Sequence, residues 1–169
     1  MLIKIREATM ADVPWLHQVD LAVLESIPDK ELFCIEDEAF LRRHIQAEGF
    51  TLIACAEDVP AAYVQVRIPG YAQDNLGLDA SLDQGQLPLV GHVESVAVLP
   101  EFRGLGLQRQ LTAAAEEMMA RRGLVWSMAT VAPQNPHSLG NFTSMGYCVV
   151  CEKEKYGGHK RCILLKKLC

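Results

Sequence analysis

Apolar residues recur along this chain with two different periods, and the switches between them mark its elements. Residues 2–6 alternate and predict a first strand. Thr9 followed by Asp12 has the form of a capping box, with Pro14 tolerated in the first turn. Leu16, Val19, Val23 and Ile27 then share one face of a helix that Pro28 ends. A second helix is predicted over 36–48, with Phe40, Leu41 and Ile45 inward and Gly49 as its stop. Residues 50–56 and 61–68 read as strands joined in a hairpin by Glu57-Asp58-Val59-Pro60. Residues 70–88 have no clear period and hold Asp74, Asp79 and Asp83 without a basic residue. A structureless stretch of that length is either a flap beside a substrate or a solvated loop.

The strongest pattern spans 90–123. His92, Glu94, Val96 and Val98 fall on one face of a strand, with Val93, Ser95 and Ala97 on the other, and Pro100 has no N–H to continue the ladder. After Arg103-Gly104-Leu105-Gly106, apolar residues recur at Leu107, Leu111, Ala114 and Met118 as a helical stripe, and Gly123 sits at a left-handed cap. A strand follows over 124–131. Asn135 is placed as N-cap and Pro136 as first residue of a helix over 136–145, which Gly146 stops. Residues 147–155 and 160–168 make a final hairpin about Gly157-Gly158. No internal repeat marks a boundary, so 1–169 is expected to be a single domain. The order β-α-α-β-β-β-α-β-α-β-β is neither a strict βαβ alternation nor an antiparallel array. It predicts an α/β (α+β) fold with a mixed sheet covered by helices.

Composition narrows the function. With 169 residues, half of them hydrophobic, the chain can bury a real core, and no apolar run approaches the roughly 20 residues of a membrane helix. The first residues lack the apolar region of a signal peptide, so a cytoplasmic protein with no membrane partner is expected. The net charge of −5 and the scattered basic residues argue against a nucleic-acid partner. That charge suits a cationic substrate, though it also serves solubility alone. Six cysteines occur (34, 55, 148, 151, 162 and 169), and Cys148-x-x-Cys151 has no second pair at zinc spacing. They read as reduced packing thiols, and no metal is expected.

The turn at 103–108 carries the chemistry. Two glycines open a helix whose first N–H groups lack intrahelical partners and point outward with the positive end of the dipole, and Arg103 adds a fixed charge. Such a turn suits a pyrophosphate, although tight strand-to-helix turns also use glycine for steric reasons. A P-loop is excluded because no Gly-Lys pair occurs, and the dinucleotide fingerprint fails because Arg109 stands at its third glycine.

Here the chain resembles a known family. P-E-F-R-G-L-G-L-Q-R-Q-L preceded by V-E-S-V-A-V is similar to the acetyl-CoA-binding core of the GNAT superfamily of N-acetyltransferases. The family signature [QR]-x-x-G-x-[GA] matches at Arg103 and Gly106, with Gln108 where Gly or Ala is usual. The opening I-R-x-A-T-x-x-D and the segment from Asn135 to Tyr147 also resemble it. The resemblance implies a GNAT-type fold with a mixed sheet of about seven strands and helices on both faces. It implies acetyl-CoA as cosubstrate, its pyrophosphate on Arg103, Gly104, Leu105, Gly106, Leu107 and Gln108. Backbone groups of Val96, Ala97 and Val98 would pair with pantetheine where the fourth and fifth strands splay. Asn135 and Phe142 fall at further cofactor positions.

The implied reaction is transfer of an acetyl group to a small-molecule primary amine in a ternary complex, with a homodimer as an open assembly. Glu94 is the candidate general base, since a carboxylate interrupting an apolar strand is where burial raises basicity. His92, on the same face, is placed to relay a proton. G-H-x-E-x-x-A-V is similar to the G-H-x-H-x-x-A-V of the arylalkylamine N-acetyltransferase branch, with Glu94 in the place of a histidine. A backbone N–H near Val96 or Ala97 would meet the oxyanion. Phe142 stands where many family members carry the tyrosine that protonates the thiolate, which leaves a water held by Ser138, Asn141 or Tyr147 for that role. Glu94 also reads as a structural carboxylate, His92 as a structural histidine and Asn135 as a plain cap. Two further readings stay open: a catalytically silent CoA-binding regulatory module, and an acyltransferase with another donor or with a protein N-terminus as acceptor.

Overall fold

The computed structural model describes residues 1–155 and 157–168. Among these the elements are β1 (Ile3–Glu7), α1 (Val13–Ser26), α2 (Glu38–Gln46), β2 (Gly49–Ala56), β3 (Val59–Arg67), β4 (Val90–Val98), α3 (Leu107–Arg121), β5 (Trp126–Val131), α4 (Pro136–Ser144), β6 (Cys148–Lys155) and β7 (His159–Lys167). Every element of the expected order is present. The chain divides into two compact units, Met1–Arg67 with Ser95–Ala115 and Ile68–Glu94 with Glu116–Cys169. Strand neighbours run β1-β2-β3-β4 in the first and β4-β5-β7-β6 in the second, a mixed order of seven strands whose central member β4 contributes to both.

The first unit is a meander with two helices on its core. β1, β2 and β3 pair antiparallel, and β2 and β3 are buried along nearly their whole length. Val13, Leu16, Val19 and Val23 of α1 and Leu41 of α2 pack with Ile53, Cys55, Tyr63 and Ala97. α1 starts where expected, with Pro14 in its first turn and Thr9 and Asp12 capping reciprocally just before it. α2 is shorter than the 36–48 pattern. The Asp37 carboxylate takes the Phe40 amide at 2.8 Å as N-cap, and Ala47 ends the helix, so Gly49 is not its stop but the first residue of β2. The hairpin loop is also tighter than the expected four residues. Glu57 and Asp58 both adopt positive φ (48° and 68°) as a two-residue turn, which returns Val59 and Pro60 to the strand.

The second unit packs Leu76, Val90, Met128 and Ile163 into its own core, with Trp126, Cys151 and Leu165 at the margin. β4 pairs parallel with β5, β5 antiparallel with β7, and β7 antiparallel with β6. The stretch 70–88 is not structureless. It forms short 3₁₀ turns at Leu76–Leu78 and Leu87–Leu89 around the buried side chain of Asn75, which bonds the carbonyls of Gly70 and Leu87 and the amide of Gly77. Asp79 at its centre pairs with Lys153 (2.9 Å) and Lys155 (2.7 Å) of β6.

Two helices end in the same way. At the end of α3 the Gly123 amide reaches the Ala120 carbonyl and the Leu124 amide the Met119 carbonyl, with Gly123 at φ +83°. At the end of α4 Gly146 and Tyr147 repeat the pattern on Thr143 and Phe142, with Gly146 at φ +95°. Both are Schellman caps, the first leading into β5 at Trp126 and the second into β6 at Cys148. The buried apolar positions of α3 are Leu107, Leu111, Ala115 and Met119 rather than the 114 and 118 of the sequence pattern, so the stripe advances by four residues each turn, with Thr112 buried beside it.

The cysteine expectation needs a correction. Cys55 and Cys162 are buried, but Cys34 and Cys148 are exposed, and Cys151 is half-buried; Cys169 lies outside the described residues. Burial pushes the Cys162 thiol up. Among the described residues no group of three or more metal-ligating side chains converges, and no helix is long and apolar enough to cross a membrane.

Candidate active site

β4 carries the candidate base at the point where its parallel pairing stops. The β4–β5 ladder runs from Val90–Trp126 to Val93–Ala129, and Glu94 through Val98 continue β4 beyond its last pair. Strand geometry therefore changes at the residue that follows Val93. Glu94 is 17% exposed and His92 only 3%. His92 Nδ1 lies 3.5 Å from Glu94 Oε1, and its Nε2 accepts the backbone N–H of Leu76 at 3.0 Å. An imidazole nitrogen that accepts carries no proton, so the ring proton sits on Nδ1 and faces the carboxylate. The expected relay role for His92 fits this poorly, because the far nitrogen is occupied by the main chain.

The 103–108 turn is built as its sequence implies, within the first unit. Gly104 and Gly106 have φ of +85° and +71°, and a Cβ at either would meet no neighbour within 4 Å. What calls for glycine is the left-handed backbone, not crowding. α3 starts at Leu107, whose side chain is buried, while residues 103–106 are exposed. The Gln110 amide bonds back to the Gly106 carbonyl, which leaves the amides of the first turn at the dipole's positive end. Gln110 Nε2 braces the Leu105 carbonyl at 3.1 Å, and Thr112 Oγ1 bonds the Gln108 carbonyl at 2.8 Å. The Arg103 guanidinium donates to Ser26 Oγ at 2.6 Å, at the end of α1, and Ser26 in turn bonds the Val23 carbonyl. That link fixes one side of the guanidinium. Ser26 was invisible to motif reasoning.

In the second unit Asn135 is the N-cap of α4, its side chain accepting the Ser138 amide at 3.2 Å. Phe142 is buried edge-on against Tyr147 with ring centroids 5.0 Å apart. Tyr147 does not suit the role of holding a water for the thiolate. Its hydroxyl shares a 2.6 Å hydrogen bond with Ser127, and burial raises its pKa far above the ordinary range.

A second polar group was missed from the sequence. Tyr63 of β3 is 1% exposed and donates to Asp20 of α1, itself 2% exposed. Ser95 of β4, the residue after Glu94, hydrogen-bonds the same phenol. Burial raises the Asp20 carboxyl to about 6 against the pull of the Tyr63 hydrogen bond and of nearby His17, and Glu36 adds to the rise. The available signal was Asp20 itself, a charged residue four positions after Leu16 on the buried face of α1.

The fold agrees with comparison to known proteins. The GNAT acetyltransferase family model matches residues 12–147, so this chain belongs to that family, whose members use acetyl-CoA. Comparison with curated proteins finds no match. Among solved structures the chain is similar to yncA of Salmonella typhimurium, a putative acetyltransferase solved with acetyl-CoA. There the TM-score is 0.72 at 20% identity, over 100% of this chain and 95% of that one. It is similar to the ribosomal-protein-S18-alanine N-acetyltransferase of Escherichia coli (TM-score 0.73, 13% identity, 99% and 94% covered). It also resembles the paiA N-acetyltransferase of Thermoplasma acidophilum in complex with coenzyme A (TM-score 0.70, 18% identity, 99% of both chains).

Proposed function

We propose that residues 1–169 work as a single acetyltransferase domain that moves an acetyl group from acetyl-CoA to a primary amine by direct attack in a ternary complex. The observation that carries this reading is Glu94, half-buried on β4 just past the last β4–β5 pair and faced by the proton-bearing nitrogen of His92. A carboxylate so placed takes a proton from the attacking amine, while His92 holds it in one orientation. The family's pyrophosphate position maps to the amides of 103–108, with Gly104 and Gly106 setting their direction and Arg103 adding charge from the Ser26 side. Pantetheine would pair with the backbone of Val96, Ala97 and Val98, and an amide there would receive the oxyanion. The Asn135 side chain is committed to capping α4, and Phe142 has no proton to give. The thiolate leaves unassisted by a tyrosine, which a thiol pKa near 8.5 allows at neutral pH.

Release of free CoA on mixing with acetyl-CoA and a panel of amines tests the reading. The panel includes peptides with free N-termini, since one structural neighbour is a protein N-terminal acetyltransferase. Amine-dependent release, with the product confirmed by mass, supports it. CoA binding without release from any acceptor would establish the silent binding module instead.

A further inference from the structure

The Leu76 amide that reaches His92 belongs to a short turn whose direction is set by one buried side chain. We infer that Asn75 is a positioning residue for Glu94: it holds the Leu76 N–H against the imidazole and so keeps the ring proton on the carboxylate side. This inference rests on the acetyltransferase reading above, and every residue it invokes lies in the second unit.

Asn75 is 1% exposed, and each polar atom of its side chain is bonded. Nδ2 donates to the Gly70 carbonyl at 2.8 Å and to the Leu87 carbonyl at 3.0 Å, which uses both of its hydrogens. Oδ1 accepts the Gly77 amide at 2.8 Å. The first two bonds tie the start of the 70–88 segment to its end, where Leu87 opens the 3₁₀ turn that leads into β4 at Val90. Together the three fix the torsions of Asn75 (φ −60°, ψ 121°) and with them the direction of the next N–H.

The 3₁₀ turn over Leu76–Leu78 has three leading amides to satisfy. Leu78 donates to the Asn75 carbonyl at 3.0 Å, and Gly77 to the Asn75 side chain. The Leu76 amide is left, and it goes to His92 Nε2. Packing of the Leu76 side chain with Val90 and Met128 keeps the turn against the strand. Val90 lies two residues before His92 on β4, and Met128 is the register partner of His92 on β5. Val90, His92 and Glu94 therefore share the strand face that the turn covers. A proton on Nε2 would set one N–H against another and forfeit a buried hydrogen bond. The ring is thereby confined to the tautomer whose Nδ1 proton lies toward Glu94 Oε1.

Nitrogen-15 NMR of the imidazoles distinguishes a protonated ring nitrogen from a bare one, and comparison with His92→Gln assigns the His92 signals among the five histidines. The wild type is expected to show one tautomer, protonated at Nδ1. Asn75→Ala should give a mixture of tautomers and about a tenfold lower kcat for amine-dependent CoA release, with CoA affinity and acetyl-CoA KM unchanged. Replacing Leu76 by its α-hydroxy acid exchanges that N–H for an ester oxygen while keeping the side chain, and it should reproduce both changes. Asp79→Asn, which removes the ion pairs with Lys153 and Lys155 but no bond of Asn75, should keep the wild-type tautomer and rate. Equal effects in Asp79→Asn would show that any loosening of the segment suffices, and overturn the particular role of Asn75. A wild-type ring protonated at Nε2, or wild-type tautomer and rate in Asn75→Ala, overturns it as well; turnover that still depends on Glu94 then leaves the enzyme reading standing. A wild type that binds CoA and acetylates no amine overturns both. Should Asn75→Ala fail to fold, Asn75→Ser takes its place, since the hydroxyl still caps Gly77 but cannot span the Gly70 and Leu87 carbonyls, and the same mixture of tautomers is expected.

Discussion

The Nε2 of His92 accepts the main-chain N–H of Leu76 at 3.0 Å, and this bond joins the candidate base to the segment that sequence reading left without structure. It sets the imidazole's tautomer and directs Nδ1–H at Glu94, 3.5 Å away. Glu94→Gln is accordingly expected to lower kcat about 100-fold with CoA affinity retained, the usual scale of a lost general base. His92→Gln is expected to lose only about tenfold, as a positioning change. In the same variant, hydrogen exchange at the Leu76 amide should accelerate. Equal losses in the two variants would mean that His92 itself moves protons.

Gly106 and Gly140 make opposite predictions for the same substitution. Gly106→Ala forces an alanine into φ +71° at the mouth of α3, at a cost of about 1 kcal/mol. A clear weakening of CoA binding by calorimetry should accompany it. Gly140 lies inside α4, and a Cβ there meets nothing within 4 Å. Gly140→Ala should therefore stabilise by about 0.5–1 kcal/mol in urea unfolding, through helix propensity alone.

Asp20→Asn should change stability with a definite pH dependence. Its carboxyl rises from 3.8 to about 6 in the folded state, so the ionised form is the one folding disfavours. The contribution is whole below about pH 4 and lost as pH rises through 6. The neutral amide can still accept the Tyr63 hydrogen bond. The variant should match the wild type at pH 4 and exceed it by about 2 kcal/mol at pH 8 in denaturant melts. A variant less stable at both values would show that shape, not charge, governs this site.

Asp12 runs the other way. The two-pronged hydrogen bond from Arg6, at 2.8 and 2.9 Å, lowers its carboxyl from 3.8 to about 2. That stabilisation is present above pH 4 and fades as pH falls toward 2. Arg6→Gln should lose about 1 kcal/mol at pH 7, a figure reduced for the exposed guanidinium, and nothing at pH 2. Thermal melts at the two values check it.

Much of the molecule follows from local rules that act over a few residues. Pro14, Asn135-Pro136, Gly123 and Gly146 start or stop helices through the backbone groups each supplies or lacks, and the structure keeps all of them. The glycines of 103–108 declare a left-handed turn for the same reason, so the element order and the shape of that turn were legible. Gly49 misled because its glycine serves a close backbone approach rather than a helix stop: α2 has already ended at Ala47, and a Cβ at Gly49 would lie 1.9 Å from the Val66 carbonyl oxygen of β3. The 70–88 segment misled more deeply. Its order comes from Asn75, whose partners at 70, 77 and 87 no periodicity connects, and from Asp79 meeting lysines more than seventy residues away. Residue types thus determined the strand that holds Glu94 and the left-handed turn that opens α3. Only tertiary folding decided that His92 bonds the Leu76 amide, that Arg103 leans on Ser26, and that Asp20 accepts from Tyr63. Those are contacts between distant positions, and a hydrogen bond between them exists only when packing brings both ends within about 3 Å.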